Sequence, residues 1–165
     1  MRYRIVLAAL SAALVVAGSG LRVTAQSPGA RAPLSTQDYI DIQQLYARYA
    51  LLIDSGDAEG WANTFTPDGV FNNSSRGRDA LVQFVHTWRE KQNGANLRHW
   101  YTNLVITPTA EGAHGAIYMM LLDISKRPPA PTASYLYDDA LVKTAAGWRF
   151  KTRVLHSETP PASTK

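Results

Sequence analysis

The chain has no cysteine among its 165 residues, which excludes a disulfide framework and thiolate chemistry alike. It has four histidines, His86, His99, His114 and His156. They are dispersed, with no two at the spacing of a helical metal pair, so a metal site is not expected. Glycine-rich phosphate loops are missing, and Ser74 and Ser75 stand in a polar loop without a nucleophile-elbow setting, so acyl transfer has no machinery here. No cofactor is implied. Internal repeats are absent, and no Lys/Arg run beyond the first residues could track a phosphate backbone, so nucleic acid is not an expected partner.

What is present begins with an export-type segment. Arg2 and Arg4 give a positive start, Ile5 to Ala17 form an apolar run broken only by Ser11, and Val23-Thr24-Ala25 is a small-residue cleavage site. The run is short for a bilayer span. Residues 1–25 are therefore expected to be a signal peptide and the working protein to be exported, periplasmic or secreted, with no membrane contact once the signal is removed. The 17 basic residues fall to 14 when Arg2, Arg4 and Arg22 leave, against 13 acidic ones, so the pI near 9.5 does not describe the working protein. A linker at 26–35, one domain at 36–157 and a polar tail at 158–165 complete the expected organisation.

The first half of the domain reads as helices and the second as strands, an α+β order. A helix starts near Ser35 or Thr36, where a hydroxyl can cap the free amides, and Ser55-Gly56 stops it. Ile42, Leu45, Tyr46, Tyr49 and Ile53 share one face at spacings of three and four. A short helix from Asp57 to about Phe65, a turn at Pro67-Asp68-Gly69, a brief strand at Val70-Phe71 and a third helix from about Asp79 to Lys91 follow. Leu81, Phe84, Val85 and Trp88 form the inner face of that third helix. Leu97–Thr107, Ala113–Ser125, Ser134–Thr144 and Trp148–Ser157 are rich in aromatic and aliphatic residues and separated by turn signals. Short connections imply antiparallel neighbours. The economical packing is a strongly curved antiparallel sheet wrapped over the helices, a cone-shaped roll with an open end.

Several segments follow in order: Leu45-Tyr46 with Tyr49 and Asp54, Gly56-Asp57, Phe65-Thr66-Pro67-Asp68-Gly69, Gly77-Arg78-Asp79-Ala80-Leu81, Arg98-His99 with Asn103, and Gly147-Trp148-Arg149-Phe150. Together they resemble the SnoaL-like branch of the nuclear-transport-factor-2-like superfamily. The resemblance covers residues 36–157. It is sharper to members that perform eliminations: scytalone dehydratase, bile acid 7α-dehydratase and hexachlorocyclohexane dehydrochlorinase. In those, an Asp ending the first helix pairs with a His on the first long strand, and the matching positions here are Asp54 and His99. A carboxylate that accepts one imidazole N–H fixes the tautomer and leaves the other nitrogen free to take a proton.

The resemblance also implies contacts with substrate. Tyr49 matches a position where the bile acid dehydratase has a functional Tyr, although it also sits on the core face of its helix. Phe71 stands where the two dehydratases tend to have a Tyr, and offers only an apolar surface. Tyr101 and Asn103 alternate with His99 on one strand face, leaving Trp100, Leu104 and Ile106 on the other. Asp123 lies near a second family His, but hairpin-end duty is the competing reading. Arg153 could meet an anionic group, although it alternates with Arg149 and Lys151 as an exposed strand face does. The expected function is cofactor-independent proton abstraction from a small hydrophobic or polycyclic substrate, followed by elimination or double-bond migration. A binding protein that holds a small hydrophobic ligand without turnover is one alternative. The other is an assembly role in which an open sheet face forms a homodimer or higher oligomer.

Overall fold

The computed structural model describes residues 33–158; the expected export signal, most of the linker and the tail beyond 158 lie outside them. The described chain contains helices α1 (Thr36–Ser55), α2 (Ala58–Ala62) and α3 (Gly77–Glu90), and strands β1 (Phe65–Phe71), β2 (Ser75–Arg76), β3 (Leu97–Pro108), β4 (Ala113–Asp123), β5 (Ala130–Thr144) and β6 (Gly147–Ser157). The strands form one six-stranded curved sheet in the order β2-β1-β6-β5-β4-β3. Every pairing is antiparallel except β1 with β6, which is parallel. The fold is α+β as the element order indicates, and the parallel pair makes the sheet mixed. No helix among the described residues is long and apolar enough to cross a membrane.

Local chemistry explains where α1 begins and ends. The Ser35 hydroxyl accepts from the Asp38 N–H, and the Asp38 carboxylate accepts from the Ser35 N–H at 3.0 Å, a reciprocal cap. At the other end Gly56 adopts φ 79°, a left-handed conformation that a side chain resists, and turns the chain toward α2. Asp38 also accepts from Lys143 Nζ at 2.7 Å and Trp148 Nε1 at 3.0 Å, which ties the helix start to β5 and β6.

The Lys143 bond chiefly, then the Ser35 and Trp148 bonds, hold the Asp38 carboxyl well below the ordinary carboxylate range. A carboxyl lowered on folding adds stability that is complete above its unfolded pKa of about 3.9 and is lost as the pH falls below it. The melting temperature should therefore drop as pH is lowered from about 5 to about 2, and Asp38→Asn should flatten that drop. Thermal melts across this range check it, and an unchanged slope in the variant refutes the role given to Asp38.

Bulges decide which side chains face the helices. On β3, Thr102 pairs with Tyr118 and Val105 with Ala116, so Asn103 and Leu104 together oppose Ile117. Asn103 sits at φ 58°, the left-handed conformation that asparagine tolerates better than most residues. The extra residue switches the alternation: Leu104 and Ile106 pack on the core, and Val105 is exposed. On β6, Ala140 pairs with Thr152 and Leu141 with Phe150, leaving Lys151 as the extra residue. Trp148 and Phe150 are buried before that bulge and Arg153 after it.

The expected turn at Pro67-Asp68-Gly69 is a third irregularity. It interrupts the β1–β6 register between Phe65 and Val70 within one longer strand, and Asp68 there meets Lys151 in an ion pair.

The core lies between the helices and the inner sheet face, around Ile42, Leu45, Tyr49, Trp61, Leu81, Phe150 and their neighbours. One close approach is set by glycine: a Cβ on Gly115 of β4 would stand 2.1 Å from the Tyr46 hydroxyl oxygen. That hydroxyl donates to the buried Asp139 carboxylate. Gly115→Ala should displace Tyr46 and destabilise the protein by on the order of 1–3 kcal/mol. Denaturant melts measure this, and a wild-type midpoint would contradict the contact.

Candidate active site

Asp54 is the penultimate residue of α1, and its position follows from the helix stop at Gly56. Its carbonyl oxygen accepts from Arg89 Nη1 of α3 at 3.1 Å, so the helix end is held from the side. Its carboxylate accepts the backbone N–H of His99 on β3 at 3.1 Å and faces His99 Nδ1 at 2.7 Å. The two side chains are 10% and 5% exposed. With Nδ1 held by the carboxylate, the consistent tautomer carries its proton there, and Nε2 is the nitrogen with a free lone pair. The Trp88 ring stands 5.5 Å from the imidazole and limits its rotation.

His99 opens on a pocket of about 230 Å³ between the helices and the sheet. Tyr49 and Ile53 of α1, Phe71 of β1, Phe84 and Trp88 of α3, Met119 and Leu121 of β4, Tyr135 and Tyr137 of β5 and Leu155 of β6 line it, with Asn72 exposed beside it. A larger groove of about 570 Å³ lies elsewhere, beside Phe65, Arg78 and Thr144. Its two arginines are bonded to Glu59, Asn63 and the Trp148 carbonyl, and no base-carboxylate pair faces it. The smaller cavity is therefore the one with chemistry on its wall.

Behind the aromatic wall lies a fully buried ion pair. Arg153 donates from Nε and Nη2 to the two carboxylate oxygens of Asp139, each at 2.7 Å, and Tyr46 donates to the same carboxylate. The guanidinium carbon stands 4.0–4.9 Å from the ring centroids of Phe150, Tyr49, Tyr137 and Tyr46. Burial pulls the Arg153 pKa down, but the Asp139 charge and bonds outweigh it and the net shift is upward. The Tyr49 hydroxyl is pushed up to about 12, mainly by burial and partly offset by the Arg153 charge. The hydroxyls of Tyr49 and Tyr101 and the Arg153 Nη1 are buried without a hydrogen-bond partner. Of these three residues only Tyr49 lines the cavity.

The structure thus brings His99, Tyr49 and Phe71 together around one space, with Asp54 behind His99, and leaves the other expected residues out of its lining. Tyr101 touches the His99 and Tyr137 rings from behind the wall. Asn103, expected on the same face as His99, is exposed because the bulge begins at it. Asp123 accepts from the hydroxyl and N–H of Ser125 at the end of β4, the hairpin-end duty that competed for it. Arg153 is neither an exposed strand residue nor a cavity contact; the Lys151 bulge turns it into the core, where Asp139 occupies it.

Period-two spacing could have marked Met119 with Leu121 and Tyr135 with Tyr137 as wall residues. Asp139 carried no such signal, since Asp138-Asp139 reads as a polar pair until the fold buries its second member.

The described domain, with its helix-end Asp, strand His and aromatic pocket, coincides with a match to the SnoaL-like domain over residues 35–154. The chain belongs to the SnoaL-like domain family. Its fold is the nuclear-transport-factor-2-like one. A solved protein of unknown function from Mycobacterium tuberculosis is similar to this SnoaL-like chain at 30% identity and a TM-score of 0.66, over 74% of this chain and 72% of its own. A Catenulispora acidiphila protein solved in complex with S-DNPA is 27% identical, with a TM-score of 0.66, over 75% and 96% of the two chains. A Novosphingobium aromaticivorans protein described as nuclear-transport-factor-2-like with a cystatin-like fold shares the fold at 21% identity and a TM-score of 0.68, over 76% and 85%. No curated protein matches the chain.

Proposed function

We propose that this SnoaL-like protein is a cofactor-independent lyase or isomerase that removes a proton from carbon in a small hydrophobic substrate. The observation that carries this reading is the 2.7 Å contact of His99 Nδ1 with Asp54, which leaves Nε2 as a base on an aromatic cavity. His99 Nε2 takes the proton, and the C–H electron pair becomes a C=C bond. In an elimination the leaving group departs from the next carbon with its bonding pair; in an isomerisation the proton returns from Nε2 to a carbon further along. Asp54 stabilises the imidazolium between the two steps. Tyr49 contributes its buried ring to the aromatic wall against which the substrate packs. Phe71 offers no proton to a departing hydroxide, which favours double-bond migration or loss of a better leaving group over dehydration.

The test is deuterium uptake at the acidic carbon of small enolisable ketones in deuterated buffer. Uptake above the buffer rate supports the reading, and uptake at the buffer rate across the whole panel removes it.

A second reading, self-assembly, has its own observation. Trp100 is 63% exposed on β3, and its cross-strand partner Met120 and the nearby Tyr118 are exposed with it. A second copy of this chain would cover them. Trp100→Lys should then convert a dimer to a monomer by light scattering, whereas a monomeric wild type ends this reading.

A further inference from the structure

The outer face of the sheet, turned away from the helices, is ordered in rows by its register. Trp100 of β3 pairs with Met120 of β4, and Met120 pairs with Ser134 of β5, so these side chains form one row across the strands. The next row runs Thr102, Tyr118, Leu136. Residues two apart on a strand share a face, and exposures of 63% for Trp100, 44% for Met120 and 42% for Tyr118 mark it as the solvent side.

The first row has a projection at one end and a hollow at the other. Trp100 stands on β3, the end strand of the sheet. Beyond Met120 lies an open groove of about 210 Å³, bounded by Met120, Pro131, Thr132, Ala133 and Ser134. A bulge shapes that hollow. Leu121 pairs with Ala133 but Leu122 with Pro131, so Thr132 is the extra residue, and its hydroxyl is tied to the Leu121 carbonyl at 3.0 Å. A cavity of roughly 150 Å³ takes benzene, so the groove has room for a two-ring indole.

Knob and groove therefore flank Met120, each one strand spacing of ~4.8 Å away. A two-fold axis running along β4, just above Met120, exchanges the two sides. It sets the Trp100 of each copy over the groove of the other, with Met120 over Met120 and Tyr118 over Tyr118. One patch thus complements itself, as a two-fold interface requires, and the rows meet face to face as in a sheet sandwich. Neither row carries a charge across β3, β4 and β5. The ionic pair of this face, Asp138 with His114 at 2.9 Å, begins in the rows that follow and falls at the rim, where interfaces are polar.

We propose that the outer sheet face is a two-fold interface between copies of this chain, in which each Trp100 seats in the Met120–Ser134 groove of the other. This rests on the self-assembly reading and adds to it the axis, the seat and the side chain that fills it.

Light scattering of the full chain gives the assembly state, and two complementary variants test the contact. Trp100→Ala removes the knob, and Ser134→Tyr fills the groove. Each alone should weaken self-association by about a hundredfold or more, because symmetry makes every change twice. Mixed in equal amounts, they should associate about tenfold more tightly than either alone. In the mixed dimer the remaining indole enters the remaining open groove, and the added tyrosine takes the space of the lost indole.

A monomeric wild type overturns this inference together with the self-assembly reading, and leaves the face to a different partner. A dimer that survives both changes, or a mixture no tighter than its components, overturns the axis and the seat while self-assembly stands. Should Ser134→Tyr fail to fold, acrylamide quenching decides. The Trp100 emission, taken as the difference between wild type and Trp100→Phe, should be shielded in the dimer, and free quenching there removes the indole from the interface.

Discussion

His99→Ala should reduce deuterium uptake and any turnover by roughly 10²–10⁴-fold, the range for loss of a positioned general base, while ketone binding changes little. The split follows from what the imidazole touches. Its Nδ1 and backbone N–H are committed to Asp54, and its ring is a minor part of a wall built mostly from Tyr, Phe, Trp and aliphatic side chains. Removing it deletes the proton acceptor and leaves the apolar enclosure.

Asp54→Asn is the informative companion. An amide can still accept the His99 backbone N–H through its oxygen, but it cannot balance an imidazolium. Activity should fall, with the rate rising again toward higher pH if hydroxide substitutes for the imidazole. Equal loss of binding and turnover in His99→Ala would show that the side chain holds the fold or the ligand instead of moving a proton. Isotope exchange and amide titration on the same sample separate these outcomes.

Arg153→Met should destabilise the protein by about 3–5 kcal/mol, the penalty for removing one partner of a buried ion pair. The reason is the carboxylate left behind. Asp139 is fully buried, and without the guanidinium the side-chain donor left to it among the described residues is the Tyr46 hydroxyl. The rings of Tyr46, Tyr49, Tyr101, Tyr137 and Phe150 would also lose the cation packed among them.

The double change Arg153→Met with Asp139→Leu removes both charges and should recover much of that loss, because a buried pair replaced by well-packed apolar groups is often neutral. Denaturant midpoints of the two variants measure the difference. A single variant as stable as wild type would mean that the pair is not closed off from water in solution. The network thus keeps one charge pair behind the cavity wall, whose Tyr49 face it polarises.

Much of the architecture is legible in the sequence. The core face of α1 from Ile42 to Ile53, the stop at Gly56 and the four long strands depend on local periodicity, capping and turn chemistry, which act within a few residues. The Asp54 and His99 positions are paired by the family resemblance, since local rules show only that one ends a helix and the other is the third residue of a long strand. Their contact is a tertiary fact, made by a helix end meeting a strand 45 residues away.

What could not be read was any residue whose facing depends on a bulge. Strict alternation put Asn103 beside His99 and Arg153 beside Lys151 on an outer face. A single extra residue in each strand reverses the faces beyond it. Whether a strand bulges is decided by the register that its partner and the packed helices accept.

By itself, then, the sequence determined the α+β order, the limits of the first helix and the presence of four long strands through short-range preferences, and the candidate base with its carboxylate through the family resemblance. Only the tertiary structure decided that Asn103 is outside, that Arg153 and Asp139 are sealed together, and how large the cavity is. Those outcomes depend on cross-strand register and on which side chains compete for the same buried volume, and neither quantity exists until distant segments are packed.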